Sequence, residues 1–215
     1  VGMVTGHLIY KDPNTSQMGF GQKLYWKYES IIKTSQTKLG TLTGSIGCIT
    51  AFRKTAYSNL PSNIIEDFTE PLMFITKGYR IVSEPEAICS ELTTNKSSQE
   101  WNMRIRVIRG GIAGLMYAKA VLNPFNHFVA SFQLLSHKIF RWLVPVFAIL
   151  LYIVCLIDIS ISATPGIMIL LLLQTLYYSF VLLAYTLESN GKHNKYLGIP
   201  YYLFIVNAAS LVAIY

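Results

Sequence analysis

Two adjacent acidic residues, Glu66 and Asp67, stand at the beginning of an apolar helical pattern in the stretch SNIIEDFTEPLMFITKG. A solvent-exposed helix face accounts for Glu66 without difficulty. It accounts less well for Asp67, because Phe68, Leu72 and Ile75 turn that part of the helix toward a core. A carboxylate held against apolar side chains is a candidate for proton transfer, so this pair is the first candidate functional site.

A second group of candidates is basic. Arg104, Arg106 and Arg109 follow one another closely in SSQEWNMRIRVIRGG. Arginine can hold phosphate oxygens through two parallel hydrogen bonds. The same residues can instead form a collar of positive charge that binds anionic lipid headgroups. The sequence pattern leaves both roles open.

The elements that must position these residues alternate between strand and helix. The chain opens on a half-buried strand pattern, VGMVTGHLIY, and an interior strand with nothing before it suggests that preceding strands are missing. A helix is predicted next, ending at Gly40, and then a loop, TGSIG, that leads into a short strand. The helix bearing Asp67 is predicted to have Asn63 as its N-cap and to end at Gly78. A further strand follows, so the first half is α/β. The first helix has these residues at helical spacing: Leu24, Tyr28, Ile31, Ile32, Ser35 and Leu39.

Charge divides the 215 residues into two parts. Residues 1–111 hold thirteen Lys/Arg and nine Asp/Glu, whereas residues 112–215 hold five and two. The first part is typical of a water-exposed domain and the second of a bilayer-embedded one. The net charge is +7, but the sequence contains no basic run of five or more residues. A membrane surface is therefore a better candidate partner than nucleic acid.

Three apolar runs in the second part are predicted to cross a membrane, at about residues 140–157, 165–185 and 196–215. A helix of roughly 20 residues spans a hydrocarbon core of about 30 Å. Residues 112–138 precede them as amphipathic interfacial helices, or alternatively as ordinary core helices. One face of this segment carries Phe125, Phe128, Val129, Phe132 and Leu135.

Loop charges predict the orientation of these spans. Lys138 and Arg141 stand at the start of the first span, Lys192 and Lys195 stand between the second and third, and the loop DISISATP has no Lys or Arg. The positive-inside rule therefore predicts a multi-pass protein of the plasma or inner membrane, with residues 1–138 in the cytoplasm. On that side Cys48, Cys89 and Cys155 are expected to be reduced packing residues, since their spacing fits no metal site.

The ordered set of motifs resembles membrane-bound family 2 glycosyltransferases, the group that includes hyaluronan, cellulose and poly-N-acetylglucosamine synthases. The motifs are VGMVTGHL, YWKYES, TGSIGCITAFRK, IIEDF, GYRIVSEPEA, RIRVIRGG and LSHKIFRWLVP, which cover residues 1 to about 145. The resemblance implies that residues 1–111 are the C-terminal, acceptor-side part of a GT-A-like domain. Interfacial helices (112–138) and about three transmembrane helices (139–215) would follow it.

The resemblance also implies a nucleotide-sugar donor and an Asp-x-Asp motif that holds Mg²⁺ or Mn²⁺ on its diphosphate. These 215 residues contain no Asp-x-Asp. The family has this motif shortly before the strand that VGMVTGHL resembles. The metal ligands are therefore expected outside this chain, and the chain alone is expected to be inactive.

The family's site residues carry over onto matching positions. Asp67 of IIEDF corresponds to the general base that deprotonates the acceptor hydroxyl in inverting transfer, and Glu66 either supports its geometry or is a first-turn helix acid. TGSIG resembles the loop that lines the acceptor pocket, through Gly44, Ser45 and Gly47. Arg104 and Arg106 are candidates for binding the leaving diphosphate.

One motif departs from the family. Processive synthases carry Gln-x-x-Arg-Trp, whereas this chain has QEWNMRIR, in which Trp101 precedes Arg104. Because of this departure, the sequence does not decide whether the enzyme is processive. It also does not decide whether Trp101 stacks on a sugar ring. The sequence thus predicts an inverting membrane glycosyltransferase that uses a growing polysaccharide or lipid-linked acceptor. The alternatives are a single-sugar transferase to polyprenyl phosphate, or a non-catalytic scaffold or transporter subunit. Transport is disfavoured because Asp158 and Glu188 stand only at span ends.

Overall fold

The computed structural model describes residues 1–12, 16–94, 96–162 and 164–215, and the side chain of Gln17 is outside the description. The described part contains one three-stranded sheet and seven α-helices. The strands are β1 (Met3–Lys11), β2 (Thr50–Phe52) and β3 (Ile81–Leu92). The helices are α1 (Gln17–Leu39), α2 (Glu66–Thr76), α3 (Ser97–Tyr117), α4 (Pro124–Leu134), α5 (Phe140–Ile161), α6 (Pro165–Ser189) and α7 (Gly198–Ile214).

The opening strand is the centre of the sheet. β1 pairs with β2 in the antiparallel sense and with β3 in the parallel sense, giving the order β2-β1-β3. The parallel register shifts between Thr5 and His7, which pair with Ser83 and Ile88. The apolar face of α2 closes the core against this sheet, where Leu72, Phe74 and Ile81 are completely buried. The α/β character of the first half is therefore confirmed.

The helix that carries the acidic pair begins later than the capping pattern predicts. Asn63 is not the N-cap; that position belongs to Ile65, which has an extended backbone and makes no side-chain capping bond. The amide of Ile64 bonds to the carbonyl of Pro61 at 3.1 Å, so the preceding residues close a turn of their own. The acidic pair consequently forms the first turn of α2, where the positive end of the helix dipole favours carboxylates.

The basic segment is a helix, α3, which packs closely on α2. A Cβ built on Gly114 would collide with Thr69, and one on Gly110 would lie 2.5 Å from Ile65 Cγ1. Only glycine allows this approach of the two helices. α3 continues through residues 111 and 112, so the predicted boundary between the first domain and the interfacial segment falls inside one continuous helix.

Two described helical segments are long and apolar enough to cross a membrane. α4, a π-helical turn (Leu135–Ile139) and α5 run together over Pro124–Ile161, and α6 covers Pro165–Ser189. Most of their apolar side chains face outward, including those of Phe125, Phe128 and Phe132 on the predicted face of α4. Large exposed apolar surfaces of this kind are unusual in water-soluble monomers.

The third predicted span is helical but differs from the other two. α7 has 17 residues, which makes it shorter than a typical span. Its Tyr201, Tyr202 and Ile205 are buried in a cluster with Met18 of α1 and Val181 of α6. The helix is thus held against the first domain as well as against α5 and α6. The structure supports two span candidates where the sequence predicted about three.

The prediction of three reduced cysteines is wrong for two of them. Cys48, just before β2, is joined to Cys89 of β3 by a disulfide, with a Cα–Cα distance of 6.6 Å. The two lie on opposite sides of β1 at Gly6, where the register shifts and no side chain separates them. Because the two cysteines are 41 residues apart in the sequence, their spacing did not predict that they pair. Cys155 is free and buried, as predicted.

Candidate functional site

Asp67 faces a cavity of about 150 Å³ at the meeting point of the α/β part and the apolar helices. Its lining comes from α1, α3, the first turn of α2, the TGSIG loop, α5 and α7. Its polar lining consists of Tyr25, Trp26, Glu29, Lys33, Ser45, Asp67, Arg104, Lys138, Arg141, Trp142, Asn207 and Ser210. The predicted acid therefore lies beside residues from both halves of the chain.

The TGSIG loop is fastened to the first turn of α2. The backbone amide and the hydroxyl of Ser45 both donate to the carbonyl oxygen of Asp67, at 2.7 and 2.8 Å. Gly44 lines the cavity, and a Cβ built on Gly47 would lie 3.8 Å from Asp67 Oδ2. The three loop residues predicted to line an acceptor pocket are thus brought together with the predicted base.

The environment of Asp67 makes its carboxylate a stronger base. Burial among protein atoms raises its pKa, although the side chain keeps access to solvent. The charges of Lys33 and Lys138 and the backbone amide of Phe68 oppose that rise without cancelling it. A carboxylate with a raised pKa accepts a proton more readily and still ionises, as proton abstraction requires.

Glu29 of α1 is a site residue that the sequence did not single out. Its buried carboxylate accepts a hydrogen bond from Tyr25 at 2.7 Å, lies 3.2 Å from His137 Nε2 and forms an ion pair with Arg141. Burial alone would raise its pKa. The hydrogen bond from His137 and the positive charges of Lys138 and Arg141 outweigh burial and leave the pKa well below its usual range.

Lys33, one helical turn after Glu29, connects this ion cluster to the loop. Its Nζ donates to the carbonyl oxygen of Ser45 at 2.8 Å. Burial lowers the pKa of Lys33 to about 8, against the charges of Glu29 and Asp67, which favour its protonated form. Lys33, Ser45 and Asp67 therefore form one connected series of contacts.

The guanidinium of Arg104 lines the cavity, but it already donates hydrogen bonds to two other side chains. Its Nε donates to Glu100 at 2.7 Å, another nitrogen donates to the hydroxyl of Tyr202, and the ring of Tyr25 lies 5.2 Å away. Glu100 is completely buried, and the hydrogen bond from Arg104 to Tyr202 joins α3 to α7. Arg104 contributes positive charge to the cavity, and its hydrogen-bonding groups hold the helices together.

The structure does not bring the remaining predicted residues to the cavity lining. Arg106 points away from it and is exposed, because it lies on the opposite face of α3 from Arg104. Trp101 packs against the apolar cluster of α6 and α7 that includes Tyr201, which leaves it far from any stacking role at Asp67. Glu66 is exposed in the first turn of α2 and does not line the cavity.

The divalent cation that the resemblance implies is expected to have its ligands outside this chain. Within the described ranges, no group of three or more His, Cys, Asp or Glu side chains is arranged to hold a metal ion. Around Asp67 the neighbouring side chains are lysines and arginines, which repel a cation.

Comparison with known proteins gives one consistent result. No protein-family model matches the sequence. Poly-beta-1,6-N-acetyl-D-glucosamine synthases of Staphylococcus aureus strains COL, MSSA476 and N315 are each 31% identical to it over 116 residues. The similarity is to a glycosyltransferase. The match covers 52% of this chain and 28% of each synthase, so the chain spans less than a third of these curated relatives.

Proposed function

We propose that this chain forms the acceptor side of an inverting membrane glycosyltransferase, in which Asp67 is the catalytic base. The observation that carries the proposal is the cavity at the first turn of α2. There the carboxylate of Asp67 lies beside a glycine-containing loop and a set of fixed cations. The distant similarity to a polysaccharide synthase agrees with this chemistry.

The proposed reaction is a single displacement. The carboxylate of Asp67 takes the proton of an acceptor hydroxyl, whose oxygen forms a bond to the anomeric carbon of the sugar. The bond from that carbon to the nucleotide diphosphate breaks, and the diphosphate leaves with the electron pair. The base must face the anomeric carbon from the side opposite the leaving group, which gives inversion.

The cations of the cavity have an electrostatic role in this proposal. Fixed positive charges stabilise the negative charge that develops on the reacting oxygens, most effectively where water is excluded. Arg141 supplies such charge from the start of α5, Arg104 supplies it from α3, and Lys138 adds to it in its protonated form. The divalent cation expected on the donor diphosphate remains a prediction about residues outside this chain.

The setting proposed for the enzyme is the membrane. α5 and α6 are long enough to span it, and we propose that α7 completes the bundle beside them. Residues 1–138 would lie in the cytoplasm, where nucleotide-sugars are found; the Cys48–Cys89 disulfide is an exception to the reduced thiols usual in that compartment. The exposed phenylalanine face of α4 would lie at the lipid surface. The partners are then a nucleotide-sugar, membrane lipids and either a growing polysaccharide or a lipid-linked acceptor.

The test is Asp67→Asn in the full-length enzyme, with sugar transfer from radiolabelled nucleotide-sugars into polymer or lipid as the readout. The substitution preserves shape and removes basicity, so we expect turnover to fall by roughly 10²–10⁴-fold while donor binding is retained. Glu66→Gln, one residue away and outside the cavity, is the matched control and should keep turnover within a few-fold. Turnover of Asp67→Asn above a tenth of the parent rate would contradict the assignment.

A further inference from the structure

The cavity at Asp67 contains a cation without a hydrogen-bonded partner. Arg141 is paired with Glu29, Arg104 with Glu100, and Lys33 donates to a backbone carbonyl. Lys138 differs, since its Nζ lies over the ring of Phe68, 5.7 Å from the centroid, and makes no hydrogen bond or ion pair among the described residues. An anion bound in this position would stabilise the charged form of the partly buried amine.

An apolar groove begins where this cavity ends. The groove has a volume of about 580 Å³ and lies between α5, α6 and α7. Asn207, in the middle of α7, lines both the cavity and the groove, so the two adjoin at this residue. The rest of the groove is formed by Val144, Pro145, Ala148, Ile149, Tyr152, Ile153, Tyr177, Tyr178, Phe204, Ala208 and Leu211.

The groove and the cavity suit the two ends of an amphipathic molecule. The lining of the groove is mostly aliphatic and aromatic, and its hydrogen-bonding groups are Asn207 and the hydroxyls of Tyr152, Tyr177 and Tyr178. A hydrated sugar chain inside it would leave most of its hydroxyl groups without partners, at a cost in free energy. A hydrocarbon chain meets no such penalty. The cavity next to it offers Lys138 for a negative charge and Asp67 for a hydroxyl.

We infer that the acceptor is a lipid-linked sugar, a sugar phosphate ester carried on a long hydrocarbon chain. This inference rests on the proposed function and narrows its acceptor. The chain lies in the groove between α5, α6 and α7, the phosphate lies at Lys138, and a sugar hydroxyl faces Asp67. The hydroxyl proton passes to Asp67, the acceptor oxygen bonds to the donor's anomeric carbon, and the nucleoside diphosphate leaves.

The test measures binding rather than turnover. Full-length protein in detergent micelles is titrated calorimetrically with farnesyl phosphate, with farnesol and with inorganic phosphate. Farnesol lacks the charged group and inorganic phosphate lacks the chain. We expect farnesyl phosphate to bind more tightly than farnesol by roughly tenfold or more, the contribution of one charge-assisted contact. Inorganic phosphate should bind more weakly than either lipid.

Two variants separate the head site from the groove. Lys138→Met should remove the advantage of farnesyl phosphate over farnesol, and Lys192→Met, in the loop after α6, is its charge control. Ala148→Phe narrows the groove and should weaken both lipid probes by roughly tenfold. Leu172→Phe, exposed on α6 outside the groove, is its control. Leu211→Phe narrows the groove from α7 and replaces Ala148→Phe if that variant does not fold.

The outcomes distinguish this inference from the proposed function. Equal affinities of farnesyl phosphate and farnesol for the parent protein, or unchanged binding in the groove variants, would overturn the lipid-linked acceptor. Asp67→Asn should bind farnesyl phosphate like the parent, because binding does not need the base. If Asp67→Asn loses turnover but the parent protein does not bind farnesyl phosphate, the assignment of Asp67 as the base is supported and the lipid-linked acceptor is rejected.

Discussion

Lys33 of α1 donates a hydrogen bond to the carbonyl oxygen of Ser45 at 2.8 Å, and Ser45 in turn holds the first turn of α2 through two bonds to Asp67. The position and the charge state of the proposed base are thus both linked to one lysine on another helix. The polar side of α1 is its buried side, and Glu29 and Lys33 on that side line the cavity. Its buried residues include Gln22, Glu29, Lys33 and Gln36.

Removing the charge of Lys33 should shift the pH dependence of turnover. That charge lowers the pKa of Asp67, so Lys33→Met should raise it and move the acidic limb of the pH–rate profile to higher pH. Loss of activity should therefore be greatest at low pH and smallest at high pH. Lys33→Arg should restore most of the profile, and Lys27→Met on the exposed side of α1 should leave it unchanged. An acidic limb that stays in place in Lys33→Met would contradict the link.

Glu29→Gln should destabilise the protein more than any exposed substitution on α1. The change leaves Arg141 with a neutral partner in a buried setting, and breaking a buried ion pair typically costs about 3–5 kcal/mol. Thermal unfolding in detergent measures the effect. Because the pKa of Glu29 is lowered in the folded state, its contribution is present at neutral pH and is lost as the pH falls below about 4. Exposed Glu91→Gln serves as the control, and an equal loss in both variants would argue against the ion cluster.

Arg104 and Arg106 should behave differently although they are two residues apart. Arg104→Met leaves the buried carboxylate of Glu100 unpaired, so the melting temperature and turnover should both fall. Arg106→Met should keep both in detergent and lose only affinity for vesicles that contain anionic lipid. Sedimentation with such vesicles checks the second effect. Reduced turnover of Arg106→Met at an unchanged melting temperature would indicate that Arg106 binds the donor diphosphate.

The orientation of the chain can be measured with single cysteines. Ser160 lies near the end of α5 and Asn190 directly follows α6, and both are exposed. The positive-inside rule predicts that Asn190 shares the cytoplasmic side with Asp67 and that Ser160 faces outward. In a background without Cys48, Cys89 and Cys155, an impermeant thiol reagent on intact cells should label a cysteine at 160 and not one at 190. The reverse pattern would move the proposed site to the outer face.

Much of the fold could be predicted from local patterns. β1, the end of α1 at Gly40 and the apolar runs of α5 and α6 each follow from signals within a few residues, and the structure agrees. The helical nature of α3 was missed because its polar and basic sequence shows no clear apolar face. The Cys48–Cys89 pair was missed because it depends on how two strands lie around Gly6, which no local pattern records.

The candidate site was predictable only in part. Asp67 and the TGSIG loop could be found because acids and glycines stand out against an apolar pattern. Glu29 and Lys33 could not, because the spacing rule takes the apolar stripe as the buried side of a helix. In α1 that stripe is exposed at Leu24, Tyr28 and Ile31, and the charged face is the one enclosed. A buried ion cluster reverses the usual pattern, and sequence alone does not reveal its partners on α5.

The π-helical turn at Leu135–Ile139 joins α4 to α5 without a break, so Lys138 belongs to the same helical rod as the first apolar span. At about 1.5 Å per residue, the 22 residues of α5 extend roughly 33 Å, close to the thickness of a hydrocarbon core. A thinner bilayer makes such a rod lean over. In the proposed membrane setting, leaning would pull Lys138 away from the ring of Phe68 and Arg141 away from Glu29, so the fatty-acid length of the surrounding lipids would affect how well the site is assembled.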